Sequence, residues 1–220
     1  FDNATSLESG IRYDFSTITA TKYYLKSRWT ERGYDAEFSH FIVGEEGNQW
    51  LTKPTFDYHN ITANIGFRKQ FYHEMEWLVN VSLASRNPNP SELFSDGLHH
   101  STGQIELGDL RLEKEQAYKF NTTFKKDWKS FQVQLNPFIN RISNFIYLQP
   151  TGFETTIRGA FPVWEFKQTE ALLTGFDVNT KWEISNHFSH ELGLAYVNGQ
   201  NLSTDEYLID MPPFVINNKI

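Results

Sequence analysis

His99-His100 is the one place in this 220-residue sequence where two imidazoles stand side by side, and Asp96 and Glu92 lie a few residues upstream. Imidazole nitrogens and carboxylate oxygens are ordinary ligands of zinc and iron, so His99 and His100 are candidate metal ligands. Neighbours on an extended strand point to opposite sides, so both reach one ion only from within a turn. The competing reading is a polar loop or a contact to another part of the protein. Arg86, Asn87 and Glu92 combine a guanidinium fork, an amide and a carboxylate, a set suited to a ligand contact or an internal bridge. Its competitor is a loop stiffened by Pro88 and Pro90 with solvated charges, because proline supplies no ladder donor. His40, His59, His73, His187 and His190 are scattered and read as surface or interface residues.

No catalytic constellation accompanies these residues. There is no Gly-x-Ser-x-Gly, no His-Glu-x-x-His and no phosphate-cradling glycine loop. Glu45-Glu46 and the pair Glu113 and Glu115 sit in polar stretches and read as solvated charge. The chain has no cysteine, which excludes disulfide frameworks, thiol catalysis and cysteine-bound metals. A formal charge of −7 without a basic run argues against nucleic acid as a partner. The expectation is a protein that is not an enzyme and has no resident cofactor.

The elements that would carry these residues are strands. With 19 Phe, 10 Tyr and 6 Trp at a mean hydropathy of −0.52, the chain must segregate apolar from polar residues closely along its length. It does so with period two, the strand period. In residues 117–126, Tyr118, Phe120, Thr122 and Phe124 oppose Lys119, Asn121, Thr123 and Lys125. In residues 130–141, Phe131, Val133, Leu135 and Ile139 oppose Gln132, Gln134, Asn136 and Asn140. Residues 75–86, around Trp77, and 172–182, ending on Trp182, follow the same rule, as do 188–197, 7–15 and 61–67. Short turns at 71–74, 126–129 and 185–187 alternate with long polar stretches at 16–58, 86–111, 149–168 and 198–208. The first of these stretches has room for a strand extension, residues 23–29 against 36–43. Several segments reach about ten residues, near the roughly 9–11 of a membrane-spanning strand and above the soluble mode of about five or six. Trp77, Trp128 and Trp182 lie close to the short turns, where an interfacial girdle would sit. No apolar run approaches the roughly 20 residues of a spanning helix, and the first residues do not have the pattern of a signal peptide.

These features predict an all-β, antiparallel up-and-down transmembrane barrel, present as about eight strands with short turns on one rim and long loops on the other. Phe131, Val133, Leu135, Trp77 and Trp182 would then face lipid. Alternation alone also fits a soluble β-sandwich that binds a ligand or carbohydrate, or a glycosidase fragment with an unrecognised carboxylate pair.

Ser85-Arg86-Asn87-Pro88-Asn89-Pro90-Ser91-Glu92-Leu93-Phe94, then Asp96 to His100, then Gly108-Asp109-Leu110-Arg111-Leu112-Glu113 resemble the barrel signature of TonB-dependent receptors. Gly10-Ile11-Arg12-Tyr13-Asp14 is similar to that family's recurrent strand end, Asn140 to Tyr147 to an Asn-Arg-x-x-x-x-Ile-Tyr hairpin, and Thr174-Gly175-Phe176-Asp177 to a Gly-x-Asp strand. The resemblance covers nearly the whole chain. It implies that residues 1–220 are part of a barrel of about 22 strands, with the plug domain and terminal strands outside this sequence. It further implies residence in the bacterial outer membrane and energised uptake of a scarce nutrient. The cargo would be a metal chelate such as a ferric siderophore, haem or zinc. Expected partners are outer-membrane lipid, the protein's own plug and the TonB-ExbB-ExbD complex, with Arg86, Asn87, Glu92, His99 and His100 as plug or ligand contacts.

Overall fold

Alternating side chains dictate strands whose two faces meet different surroundings, and the register shows how those faces line up from strand to strand. The computed structural model describes residues 4–220. Its wall is built from β1 (Thr5–Thr19), β5 (Thr55–Phe71), β6 (Met75–Arg86), β9 (Glu115–Asp127), β10 (Phe131–Thr156), β11 (Gly159–Ser185), β12 (Phe188–Asn201) and β14 (Val215–Lys219). Each pairs antiparallel with the next in that order, giving the eight alternating strands expected, in a sheet that does not close on itself. Five smaller strands lie between them: β2 (Lys22–Leu25), β3 (Ile42–Glu46) and β4 (Gln49–Thr52) between β1 and β5, and β7 (Asp96–His99) with β8 (Gln104–Leu107) between β6 and β9. A two-residue β13 (Glu206–Tyr207) pairs with the end of β12.

Cross-strand partners share a face, so the register fixes the sides of the wall. Leu135 stands opposite Phe124 and Val178, Val178 opposite Leu194, and Leu194 opposite Ile216. Phe131 stands opposite Trp182, and Trp77 opposite Phe124. Phe131, Val133, Leu135, Trp77 and Trp182 therefore all lie on one apolar face. Gln132, Gln134, Asn136, Lys125, Asn179 and Asp177 lie on the other. Among the described residues no second sheet covers the apolar face, where Leu135 is 37% and Trp182 49% exposed. A sandwich would bury these side chains; the wall does not.

At one rim the connections are as short as expected. The β5–β6 turn takes left-handed backbone at His73 (φ 64°) and Glu74 (φ 56°), an uncommon conformation for non-glycine residues that tight reversals select. The other rim departs from the sequence reading in three places. Residues 149–168 are not a loop: β10 and β11 are 26 and 27 residues long and stay paired almost to the reversal at Ile157-Arg158. Pro150, Gly152 and Gly159, with the register shift between Pro150 and Gly152, break the plain alternation there and hid the strand. Asn140 to Tyr147 accordingly lie within one strand, at a register shift between Ile142 and Phe145 where Asn144 takes φ 57°. The proposed pairing of 23–29 with 36–43 is also replaced. β2 pairs with β4, and α1 (Lys26–Glu31), α2 (Tyr34–Glu37) and a 3-10 turn (Ser39–Phe41) intervene. These helices are too short to display a helical period.

Folding around one buried cluster explains this last rearrangement. Trp29, Tyr24, Tyr34, Leu93, Phe94, Leu110, Leu112 and Ile146 form a dry core above the wall. Their rings interlock, Tyr24–Trp29 at 5.4 Å, Trp29–Tyr34 at 5.2 Å and Tyr34–Phe38 at 5.3 Å between centroids, the spacing of favourable tilted and edge-on pairs. The excursion 20–54 and the return 87–114 thus make one cap.

Candidate functional site

The return after β6 opens on α3 (Pro90–Phe94), whose start the sequence specifies residue by residue. Asn89 Oδ1 accepts from the backbone N–H groups of Ser91 and Glu92, both at 3.0 Å, and Glu92 Oε2 accepts from Asn89 N–H at 2.8 Å. That reciprocal box, with proline at the first helical position, satisfies the orphan donors of the helix start. Glu92 is then free to accept a bidentate pair of bonds from Arg86 Nη1, both at 3.0 Å, while Arg86 Nε donates to Glu115 Oε2 at 2.6 Å. Both carboxylates are buried, and Ile146 N–H supplies Glu115 with a further donor at 2.7 Å. One guanidinium and two backbone N–H groups hold two buried negative charges. Asn87 joins the same knot, donating to Ser16 Oγ at 2.7 Å and accepting from Asn60 at 2.8 Å. Gly108 closes it from the other side: a Cβ there would lie 2.6 Å from the Glu92 carbonyl oxygen. Arg86, Asn87 and Glu92 are brought together, and within this chain they bind each other and the tops of the neighbouring strands.

His99 and His100 are placed differently. His99 ends β7, with Nδ1 3.0 Å from Thr102 Oγ1 and 3.7 Å from Glu106 Oε1, and His100 is exposed in the following turn. Asp96 and Glu92 do not join them, because Arg28 holds Asp96 and Arg86 holds Glu92. Among the described residues no group of three or more His, Asp and Glu side chains is arranged to hold a metal.

Reasoning from the sequence missed a cleft of about 560 Å³ between the cap and the β10–β11 hairpin, walled by Arg28, Arg32, Tyr34, Arg111 and the hairpin residues Phe153 and Glu154. Arg28 Nη1 donates to Asp96 at 3.0 Å, and Arg28 Nη2 forks onto both oxygens of Glu154 at 3.0 and 2.9 Å. Burial opposes the Arg28 charge, but the two carboxylates outweigh it and raise its pKa. Arg32 and Arg111 lie over the Tyr34 ring at 5.7 and 4.9 Å from its centroid, two cation–π contacts to one ring. Burial, then the Asp109 carboxylate, pushes the Tyr34 hydroxyl up to about 12. The Tyr34 hydroxyl donates to Asp109 at 3.1 Å and accepts from Leu110 N–H at 3.1 Å. Arg28 and Glu154 are 126 residues apart, so spacing carries no trace of the cleft. The one local signal was the interleaving of rings and guanidinium groups in Tyr23, Tyr24, Arg28, Trp29, Arg32 and Tyr34.

An open, antiparallel, sequence-ordered wall with one bare apolar face and one polar face defines a segment of a transmembrane β-barrel. The family model described as TonB dependent receptor-like, beta-barrel matches residues 1–218, and the chain belongs to that family of bacterial outer-membrane proteins. No curated protein matches the chain. Among solved structures it is similar to the copper transporter OprC, with a TM-score of 0.72 at 16% identity over 96% of this chain and 29% of that one. It is also similar to the Serratia marcescens hemophore receptor HasR, solved with its hemophore HasA and heme, with a TM-score of 0.59 at 14% identity over 91% of this chain and 32% of that one. The siderophore receptor PirA from Pseudomonas aeruginosa gives a TM-score of 0.55 at 14% identity over 68% of this chain and 31% of that one. At these identities the likeness is one of fold, and the chain spans no more than about a third of each structure.

Proposed function

We propose that this chain is the wall and cap segment of a receptor that takes up a metal chelate across the outer membrane, driven through TonB-ExbB-ExbD and gated by the protein's own plug. The observation that carries the reading is the bare apolar band of a family barrel. Phe131, Val133, Leu135, Trp77 and Trp182 contact lipid, and the polar face turns to a water-filled interior where amides stay solvated. The similar structures are a copper transporter, a hemophore receptor in complex with its hemophore and heme, and a siderophore receptor, and a metal-bearing cargo is what supports the reading. Arg86, Asn87 and Glu92 act by holding the cap to the wall. His99 and His100 stand as contacts to plug or cargo.

The test is uptake of radiolabelled iron and copper chelates by cells carrying the full-length receptor, with and without TonB. Uptake that disappears on deletion of either gene is expected; uptake of every chelate unaffected by loss of TonB would refute the proposal. For the histidines, zinc titration of a receptor carrying His99→Ala and His100→Ala decides: unchanged affinity removes them as metal contacts.

A further inference from the structure

Around Asp96 the cap gathers more positive than negative charge. Lys22, whose ammonium donates to the Phe94 carbonyl oxygen, shares the surroundings of Asp96 with Arg28 and Arg32. Arg28 bonds Asp96 directly, whereas Arg32 lies 3.9 Å from it. Three cations thus face one buried carboxylate, and the fifth group in the set, Glu154, comes from the hairpin. The other charges of the cleft are matched or screened. Asp109 is met by Tyr34 and Arg111, Glu165 pairs with Lys167, and Glu31 is exposed to solvent.

Glu154 reaches Arg28 from a segment with a built-in joint. The β10–β11 register shifts between Pro150 and Gly152, proline cannot donate to the ladder, and Gly152 takes φ 154°. The cap strand β8 holds the β11 side of that joint, Val163 to Glu165, in a parallel ladder, so only the tip beyond it, residues 153–162, is left to move; there the Arg28–Glu154 contact is the one ionic or hydrogen-bonded tie to the cap among the described residues. Glu154 is 40% exposed in its side chain, so solvent and solutes reach the pair. The tip also carries Phe153, 80% exposed, and Ile157, fully exposed.

We propose that Glu154 is an internal stand-in for a ligand carboxylate: a carboxylate-bearing ligand takes its place on Arg28, and the hairpin tip, released, swings about the joint at Pro150 to Gly152 and opens the cleft. The guanidinium divides its work: Nη1 holds Asp96 and Nη2 alone reaches both oxygens of Glu154, so the group that replaces Glu154 is a carboxylate offered to Nη2. This deepens the uptake reading by naming the chemistry of the cargo, and rests on that reading for its physiological meaning. The binding event itself does not depend on it.

The test uses the full-length receptor in detergent, spin-labelled at Val43→Cys in the cap and Ile157→Cys at the tip, after removal of any cysteine elsewhere in the receptor. Citrate is the probe and inorganic phosphate the comparison. Citrate should lengthen and broaden the inter-label distance. Glu154→Gln should show the open distribution without citrate and bind citrate roughly fivefold more tightly, since a competitor has been removed and affinity scales with the competent fraction. Arg28→Gln should be open and insensitive to citrate, with Arg28→Lys, which keeps the charge but has no second nitrogen to hold Asp96 and the ligand separately, closer to Arg28→Gln than to the parent. Heat-modified gel migration checks that each variant is folded. No change in distance with citrate, no tighter binding by Glu154→Gln, or opening by phosphate in preference to citrate would each overturn the proposal. Uptake in cells is measured separately, so a receptor that transports but keeps its tip closed refutes this inference alone.

Discussion

The wall and the cap use the same residue types in opposite ways. In the wall, large apolar side chains are bare: Ile11 is 82%, Ile65 48% and Trp182 49% exposed. In the cap, Trp29 and Leu93 are fully buried and Tyr24 and Tyr34 are 1% exposed. The wall leaves its apolar face to be covered by an outer phase, whereas the cap completes its own interior in water. Burial by the chain itself is therefore a poor guide to what holds a barrel segment together, and a good guide to which parts of it fold as an ordinary soluble domain does.

Substitutions in the two regions should fail differently. Trp29→Ala, in the cap, carries the largest expected effect, on the order of 3–5 kcal/mol of local stability. Limited proteolysis should cut within residues 20–54 while gel migration of the folded barrel is unchanged; loss of both together would mean the cap and wall are one cooperative unit. Trp29→Phe sharpens this, because the indole N–H has no hydrogen-bond partner and its removal leaves nothing orphaned. In the wall, Leu135→Arg should impair assembly by about 2–4 kcal/mol near the bilayer midplane, while Gln134→Arg is tolerated. Equal behaviour of the two in a refolding assay would break the assignment of faces.

Smaller effects report on the cap alone. Tyr34 holds its proton in the folded state up to about 12, against 10.0 for an ordinary tyrosine. Its contribution is complete below pH 10 and is lost as pH rises toward 12, where the unfolded chain has already released the proton, a change of about 2–3 kcal/mol. Ultraviolet titration of phenolate against cap proteolysis should show the two moving together. Asn89→Ala removes the helix cap and should cost about 1 kcal/mol, read as faster amide exchange in Pro90–Phe94 with the wall unaffected.

The contrast also explains what could be read in advance. Alternation in residues 75–86 marked β6 to the residue, because a strand between lipid and water displays its period in plain hydrophobicity. Phe131, Val133 and Leu135 fell on one face for the same reason. The upper half of β10 and β11 breaks its alternation at Pro150 and Gly152, and there Val163 pairs with β8 and Phe166 packs on the cap, so Gln149 to Gln168 looked like a loop. The pairing of β2 with β4 is set by Trp29 and its neighbours filling the interior, a three-dimensional condition that no window of sequence contains. Arg86, Asn87 and Glu92 were legible as a group because they are close in sequence; Glu115, their essential fourth member, begins the next wall strand and was set aside as solvated charge.

Clamping Arg86 at the end of β6 to Glu115 at the start of β9 fastens both feet of the return between them, quite apart from what lies at its crown. The exposed reversal at His100 to Thr102 can then lengthen, shorten or accept a foreign peptide without sending a shift of register down the wall. It is the natural place to graft an epitope or affinity tag on this protein.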